Sequence, residues 1–101
     1  MRGVKDYQHF ILWLDYFSSS LTRREGRMVP YSQATRNPTI AELEDACTRA
    51  GYAPEKVEAF FPKRPYSRSG YVSVERKKRR GETLREVALM LTRVRGESKD
   101  P

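Results

Sequence analysis

The first block of apolar positions is residues 9–14, His-Phe-Ile-Leu-Trp-Leu, with Ser18-Ser19-Ser20 close behind it. A short apolar run bounded by a turn signal predicts a buried strand. No apolar period persists through residues 18–36, which predicts a long loop, and loops of that length in compact domains are usually functional or disordered. Asn37-Pro38-Thr39 then opens a helix: Thr39 caps it, Glu42 completes a capping box, and Ile40, Leu43, Cys47 and Ala50 recur on one face up to Gly51. Residues 56–61 and 71–76 predict two strands joined by a loop over 62–70, where Pro62 and Pro65 interrupt ladder pairing. After the basic run of residues 76–80 and the breaker Gly81, Thr83 and Glu86 predict a second capping box. Leu84, Val87, Ala88, Leu91 and Val94 form the stripe of a second helix.

The resulting order, β-α-β-β-α, predicts an α+β two-layer sandwich. Its three-stranded antiparallel sheet has the last strand in the middle, and both helices cover one face. Phe10, Leu12, Leu14, Val72 and Val74 should face the helices, which turns His9, Ile11 and Trp13 to the other side. The 101 residues suffice for one core, so a single domain over 1–96 is expected, with a flexible tail over 97–101.

Charge narrows the partner. Twenty Lys and Arg against 13 Asp and Glu leave a net charge of +7, which favours nucleic acid, an acidic protein or an anionic membrane surface. The first six residues lack the apolar run of a signal peptide, and no stretch approaches the roughly 20 apolar residues of a membrane span. A cytoplasmic location is therefore expected, with no direct insertion into a membrane. With a single cysteine, Cys47, an internal disulfide or a cysteine-based zinc site within one chain is excluded. Cys47 reads as a core residue, and the lone His9 reads as a strand residue without a catalytic partner. No phosphate-binding glycine loop occurs, and the carboxylates of Glu42, Glu44 and Asp45 mark a solvated helix face. Neither enzyme chemistry nor a metal or other cofactor is expected.

The positive charge is concentrated in the two long loops, whereas the first helix is net acidic. Arg23, Arg24, Arg27 and Arg36 lie in the first loop against the single acid Glu25, and Lys63, Arg64 and Arg68 lie in the second. Arginine's planar fork matches phosphate and stacks on bases, and here it is interleaved with Tyr16, Phe17, Tyr31, Tyr66 and Ser67. In the predicted topology both loops emerge from one end of the sheet as one basic, aromatic surface. With no helix-turn-helix pattern and no basic recognition helix, such a surface suits irregular RNA better than duplex DNA. For residues 76–80, a solvated surface and phosphate contact are equally good readings. Two other readings stay open. Ile11, Trp13 and Tyr71 on the open sheet face could stack bases as the sheet of an RNA-recognition motif does, or the basic loops could dock an acidic protein. A membrane-surface role for the second helix is weaker, because its stripe serves as core.

Four segments, in this order and spacing, resemble the family of the nineteen-kilodalton protein of the signal recognition particle, in its short archaeal form. They are the strand ending at Trp13 with Tyr16 following, Glu25-Gly26-Arg27-Met28-Val29-Pro30, Asn37-Pro38-Thr39, and Tyr66-Ser67-Arg68 in a loop ending at Gly70. The resemblance covers most of the chain, with Leu14, Met28 and Tyr71 departing from the family pattern. It implies a monomeric ribonucleoprotein subunit that clamps the tips of two hairpins of the particle's 7S RNA. It also implies that the protein promotes binding of the GTPase subunit, mainly through the RNA, in co-translational protein targeting to the membrane. RNA-binding roles then fall on Tyr16, Arg23, Arg24, Arg27, Lys63, Arg64, Tyr66 and Arg68, with Gly26 admitting a close phosphate. Trp13 and Ser67 join them as stacking and hydrogen-bonding groups. The first loop, rich in charge and poor in turn signals, is expected to be mobile until RNA orders it.

Overall fold

The computed structural model describes residues 9–62 and 68–98. Strand β1 (His9–Trp13) leads into a 3₁₀ turn (Leu14–Phe17), a long connection with a second 3₁₀ turn (Tyr31–Gln33), and helix α1 (Ile40–Arg49). Strands β2 (Glu55–Phe60) and β3 (Arg68–Glu75) follow, and helix α2 (Arg80–Ser98) comes last. The sheet order is β1-β3-β2, with both pairings antiparallel, so the last strand is central as expected.

Pairing register sets the two faces of the sheet. Leu12 stands opposite Val72 and Phe10 opposite Val74, which puts these side chains together on one face because side chains alternate along a strand. Leu12, Val72 and Val74 are fully buried in one core with Leu43, Ala46 and Cys47 of α1 and with Val87, Ala88, Leu91 and Val94 of α2. Burying an aliphatic side chain of this size contributes about 1.5–3 kcal/mol, so this shared face is the main source of cohesion. Strand β2 lies at the sheet edge and is mostly exposed.

Several boundaries differ from those read in the sequence, β2 by one residue at each end and others by more. Leu14 is not a strand residue: it opens the 3₁₀ turn, although it still packs against the core. β3 begins at Arg68 rather than at residue 71, because Arg68, Ser69 and Gly70 pair with Phe60, Ala59 and Glu58. Helix α2 begins at Arg80 and passes through Gly81, so Thr83 and Glu86 do not cap it. The Thr83 side chain is instead fully buried, and its Oγ1 donates to the Arg79 carbonyl at 3.2 Å and lies 3.4 Å from the Tyr52 hydroxyl. A threonine inside a helix commonly bonds the carbonyl four residues back, and the carboxylate of Glu86 is engaged by Lys78. At its far end α2 continues through Ser98, and residues 99–101 lie outside the described residues.

Helix α1 starts as predicted. The Thr39 hydroxyl accepts from the Glu42 N–H at 3.1 Å, and Glu42 Oε1 accepts from the Thr39 N–H at 3.0 Å. The same carboxylate receives both arms of Arg95 from α2, Nε on Oε2 and Nη2 on Oε1, each at 2.9 Å. Arg95 also donates to the carbonyls of Arg36 at 2.9 Å and Asn37 at 3.3 Å. One guanidinium therefore joins the end of the long connection, the cap of α1 and the last turns of α2. Hydrogen bonding by Arg95 is the largest cause that lowers the Glu42 pKa from 4.5 to about 2; burial opposes it and the Thr39 N–H reinforces it. A lowered folded-state pKa means that the stabilisation is complete above pH 4.5 and is lost as pH falls toward about 2. Glu42→Gln should lower stability at neutral pH by about 1.5–3 kcal/mol, the range for hydrogen bonds to charged groups. It should also flatten the acid limb of a plot of melting temperature against pH; a variant that kept the wild-type acid limb would show that this carboxylate does not drive it.

Candidate nucleic-acid interface

Residues 18–36 are fastened at three places. The N–H groups of Met28 and Val29 both donate to the Tyr16 carbonyl, at 2.8 and 3.3 Å. Thr35 N–H donates to Phe17 at 2.8 Å, and Ser19 N–H to Thr35 at 2.9 Å. Leu21 and Val29 are buried, Val29 within the main core. Between them the chain makes a reciprocally capped turn: Thr22 N–H donates to Glu25 Oε1 at 2.9 Å, and Glu25 N–H to Thr22 Oγ1 at 3.2 Å. Thr22 and Glu25 have the residue types and spacing of a capping box, a signal that the sequence reading passed over. Arg23 and Arg24 lie inside this box and are exposed.

Gly26 closes the turn with φ +134°, where side-chain-bearing residues are strained, and a Cβ there would lie 2.7 Å from the ring of Phe61. The glycine thus permits close packing against an aromatic ring. Phe61 is itself buried, 5.1 Å from the Trp13 ring and edge-on to Tyr16 at 6.0 Å between centroids. It is the last residue but one before residues 63–67, which lie outside the described residues. Beyond those residues, Ser69 Oγ donates to the buried carboxylate of Asp15. Both flanks of the second basic loop are therefore joined to the structure that carries the first: Phe61 by packing on Gly26 and Tyr16, Ser69 by hydrogen bonding to Asp15. Phe61, Asp15 and Ser69 were not anticipated as site residues, because nothing in their local sequence indicates a contact across the fold.

The candidate side chains divide among several roles. Tyr16 is half-buried, with the Arg80 guanidinium 5.7 Å above its ring and Arg80 Nη2 3.4 Å from its hydroxyl. Arg80, from the run for which the sequence left phosphate contact and a solvated surface equally open, thereby adjoins Tyr16. Trp13 is half-buried, edge-on to Tyr71 at 4.9 Å. Arg27 turns inward: its Nε donates to the Val29 carbonyl at 3.0 Å, its Nη1 to Leu21 at 2.8 Å, and its guanidinium lies 5.8 Å from the Tyr31 ring centroid. Those bonds hold the loop's shape, so Arg27 is committed to the protein at least as much as to any ligand. Lys63, Arg64, Tyr66 and Ser67 fall outside the described residues. Arg68 belongs to β3, its backbone opposite Phe60, and not to the loop.

The run over residues 76–80 is also divided. Arg76 lies over Phe10 at 5.3 Å, Lys77 donates to the Gly51 carbonyl at 2.8 Å beside the Tyr52 ring, and Lys78 pairs with Glu86. These three cover protein groups, whereas Arg80 reaches Tyr16. Arg80 also sits in the first turn of α2, at the positive end of the helix dipole. Two positive contributions there are unfavourable to each other and favourable to an anion.

Burial pushes the Cys47 thiol up to about 12, which keeps it a neutral core group. Among the described residues no group of three His, Cys, Asp or Glu side chains is placed to hold a metal ion.

The chain and its fold have counterparts among known proteins. The family model described as SRP19 protein matches residues 11–94. The signal recognition particle 19 kDa protein of Ignicoccus hospitalis is 34% identical over 94 residues, covering 91% of this chain and 95% of its own. The corresponding protein of Hyperthermus butylicus is 31% identical over 97 residues, covering 94% of each. A crystal structure of SRP19 in complex with the S domain of signal recognition particle RNA superposes with a TM-score of 0.76 at 29% identity, covering 81% of this chain and 95% of that one. The SRP19 of Pyrococcus furiosus shares the fold, with a TM-score of 0.77 at 24% identity over 90% of this chain and 94% of its own. A match across the strands, both helices and the connection that carries Gly26 places the chain in the SRP19 protein family.

Proposed function

We propose that this protein is an RNA-binding assembly subunit of the signal recognition particle, and that it has no enzymatic activity of its own. The observation that carries the reading is the junction at Phe61, which brings the turn bearing Arg23 and Arg24 against the strand end from which the second basic loop departs. Two basic loops joined at their bases offer two adjacent sites for phosphate and unstacked bases, the arrangement needed to hold two hairpin tips side by side. Arg23, Arg24 and Arg80 supply phosphate contacts in this scheme, and Tyr16 supplies a stacking surface already polarised by Arg80. Lys63, Arg64, Tyr66, Ser67 and Arg68 act from the second loop and its exit. Trp13 and Arg27 support the surface from beneath.

The relative solved with the RNA S domain supports this partner class. By holding the two tips in one geometry, the protein would prepare the RNA for the GTPase subunit, with the coupling transmitted mainly through the RNA. The work would take place in the cytoplasm; no helix among the described residues is long and apolar enough to cross a membrane.

The open sheet face is less suited to RNA. Its exposed charges include Glu55 and Glu75, and no lysine or arginine alternates onto it in any of the three strands. Phosphate would be repelled there.

The arginines are separable by salt dependence. Each phosphate contact contributes roughly 0.7–0.9 to the slope of log affinity against log salt. Arg23→Ala/Arg24→Ala should therefore reduce the slope by about one to two and leave the melting temperature near that of the parent. Arg27→Ala should instead lower stability by about 1–2 kcal/mol through loss of two hydrogen bonds to carbonyls. Filter binding to signal recognition particle RNA across a salt series tests both; an unchanged slope in the double variant would remove these two arginines from the interface.

Gly26→Val combines a disallowed φ with a collision against Phe61, so RNA affinity should fall by more than tenfold while the core helices persist by circular dichroism. Wild-type affinity in that variant would show that the Gly26–Phe61 contact does not shape the site.

A further inference from the structure

Beyond RNA binding, the open face of the sheet has the character of a protein-docking surface. Trp13 stands opposite Tyr71, and Tyr71 opposite Val57, so three large side chains cross the sheet in one row. Ile11 lies beside this row, opposite Ser73. Ile11 is 41% exposed and Val57 38%, and neither belongs to the core cluster. Aromatic pairs such as Trp13 and Tyr71, with ring centroids 4.9 Å apart, are rigid surfaces of the kind that anchor interfaces.

Charge discriminates among occupants. No lysine or arginine of the three strands alternates onto this face, whereas Glu55 and Glu75 both do, Glu55 opposite Ser73 and Glu75 two residues beyond Ser73 along β3. His9 stands opposite Glu75 at the same margin. In a chain of net charge +7 this is an apolar strip with an acidic border, complementary to cations mounted on an apolar body and repellent to a polyanion.

Size narrows the form of the partner. Three strands about 4.8 Å apart and five residues long span roughly 15 by 17 Å, far less than the ~800 Å² per partner of a standard interface between globular proteins. The strip matches one helix, about 10 Å across and some three turns long. We propose that the open face of the sheet, centred on Ile11, Trp13, Val57 and Tyr71, docks a single amphipathic helix of a partner protein whose aliphatic stripe is flanked by lysine or arginine. Because Arg23, Arg24 and Arg80 are not in the strands of this face, docking leaves the proposed phosphate contacts free and can occur in the same particle, with Trp13, which also packs on Phe61, the one residue shared by the two surfaces.

The test is a nuclear magnetic resonance titration of the isotopically labelled full chain, free and bound to signal recognition particle RNA. The probe is a synthetic helical peptide of about 18 residues with a leucine stripe flanked by lysines. Two further probes are the same peptide with glutamates for the lysines and a short oligouridylate. The lysine peptide should shift the amides of Ile11, Val57, Tyr71 and Ser73, with and without RNA, and the other two probes should leave them in place. Ile11→Ser/Val57→Ser should weaken the peptide by about tenfold, as expected when anchoring side chains are truncated, and Glu55→Lys/Glu75→Lys should weaken it further. All four positions are exposed, and unshifted core amides of α1 and α2 would verify that each variant is folded.

Shifts centred instead on Glu44 and Asp45 of α1, or equal binding of the glutamate peptide, would overturn the proposal. Oligouridylate binding at Ile11 and Tyr71 would assign the face to nucleic acid. A concentration-dependent dimer abolished by Ile11→Ser would assign it to a second copy of the chain. Loss of RNA binding alone would leave the peptide result unaffected, so the two readings fail separately.

Discussion

The ring of Phe61 lies where a side chain at position 26 would have to go, and the candidate RNA surface depends on that contact. With glycine at 26 the turn bearing Arg23 and Arg24 packs onto the end of β2, at the point where the chain enters residues 63–67. The hydrogen bond from Ser69 to buried Asp15 attaches the far flank of that segment to the same 3₁₀ turn. Arginine-rich loops of this length would cost considerable conformational entropy to order around RNA if each had to be fixed separately. Fixing their bases in the folded protein removes part of that cost before RNA arrives.

A second constraint acts at the opposite end of the first connection. Arg95 holds the carbonyls of Arg36 and Asn37 while its fork is matched to Glu42. The connection is therefore anchored at its start by Tyr16 and Phe17, in its middle by Gly26 on Phe61, and at its end by α2. The segment reads in sequence as rich in charge and poor in caps and turns; the structure adds buried Leu21 and Val29 and a capped turn, formed by Thr22 and Glu25, at its tip. The arginines at the tip are presented by a shaped turn, which reduces the reorganisation required of them on binding.

The legibility of the sequence followed the range of the interactions. Helix α1 was legible because Thr39 and Glu42 cap within three residues of each other, and the sheet order because strand alternation and connection rules operate on local pattern. The stripe of α2 was read correctly, but its start was misplaced: Thr83 and Glu86 have the spacing of a capping box and are engaged elsewhere, by Tyr52 and Lys78. β3 was read as starting too late because Arg68 and Ser69 resemble loop residues until paired with Phe60 and Ala59. Within the site, the basic residues of the loops were visible as charge. Phe61, the Asp15–Ser69 pair and the stacking of Arg80 on Tyr16 were not, since each joins residues far apart in the chain. Gly26 was singled out for its backbone freedom, but the neighbour that requires it is a ring 35 positions away.

The molecule thus separates two surfaces by charge: loops rich in arginine with aromatic support, and a sheet face bordered by glutamate. The central claim is that the loops act as one surface because they are joined at Phe61. Hydroxyl-radical footprinting of signal recognition particle RNA over a protein titration tests it most directly. One joined surface predicts that two hairpin tips become protected together, with the same midpoint, and that Phe61→Ala separates the two midpoints. Protection of a single tip, or two midpoints already separate in the wild-type protein, would contradict it.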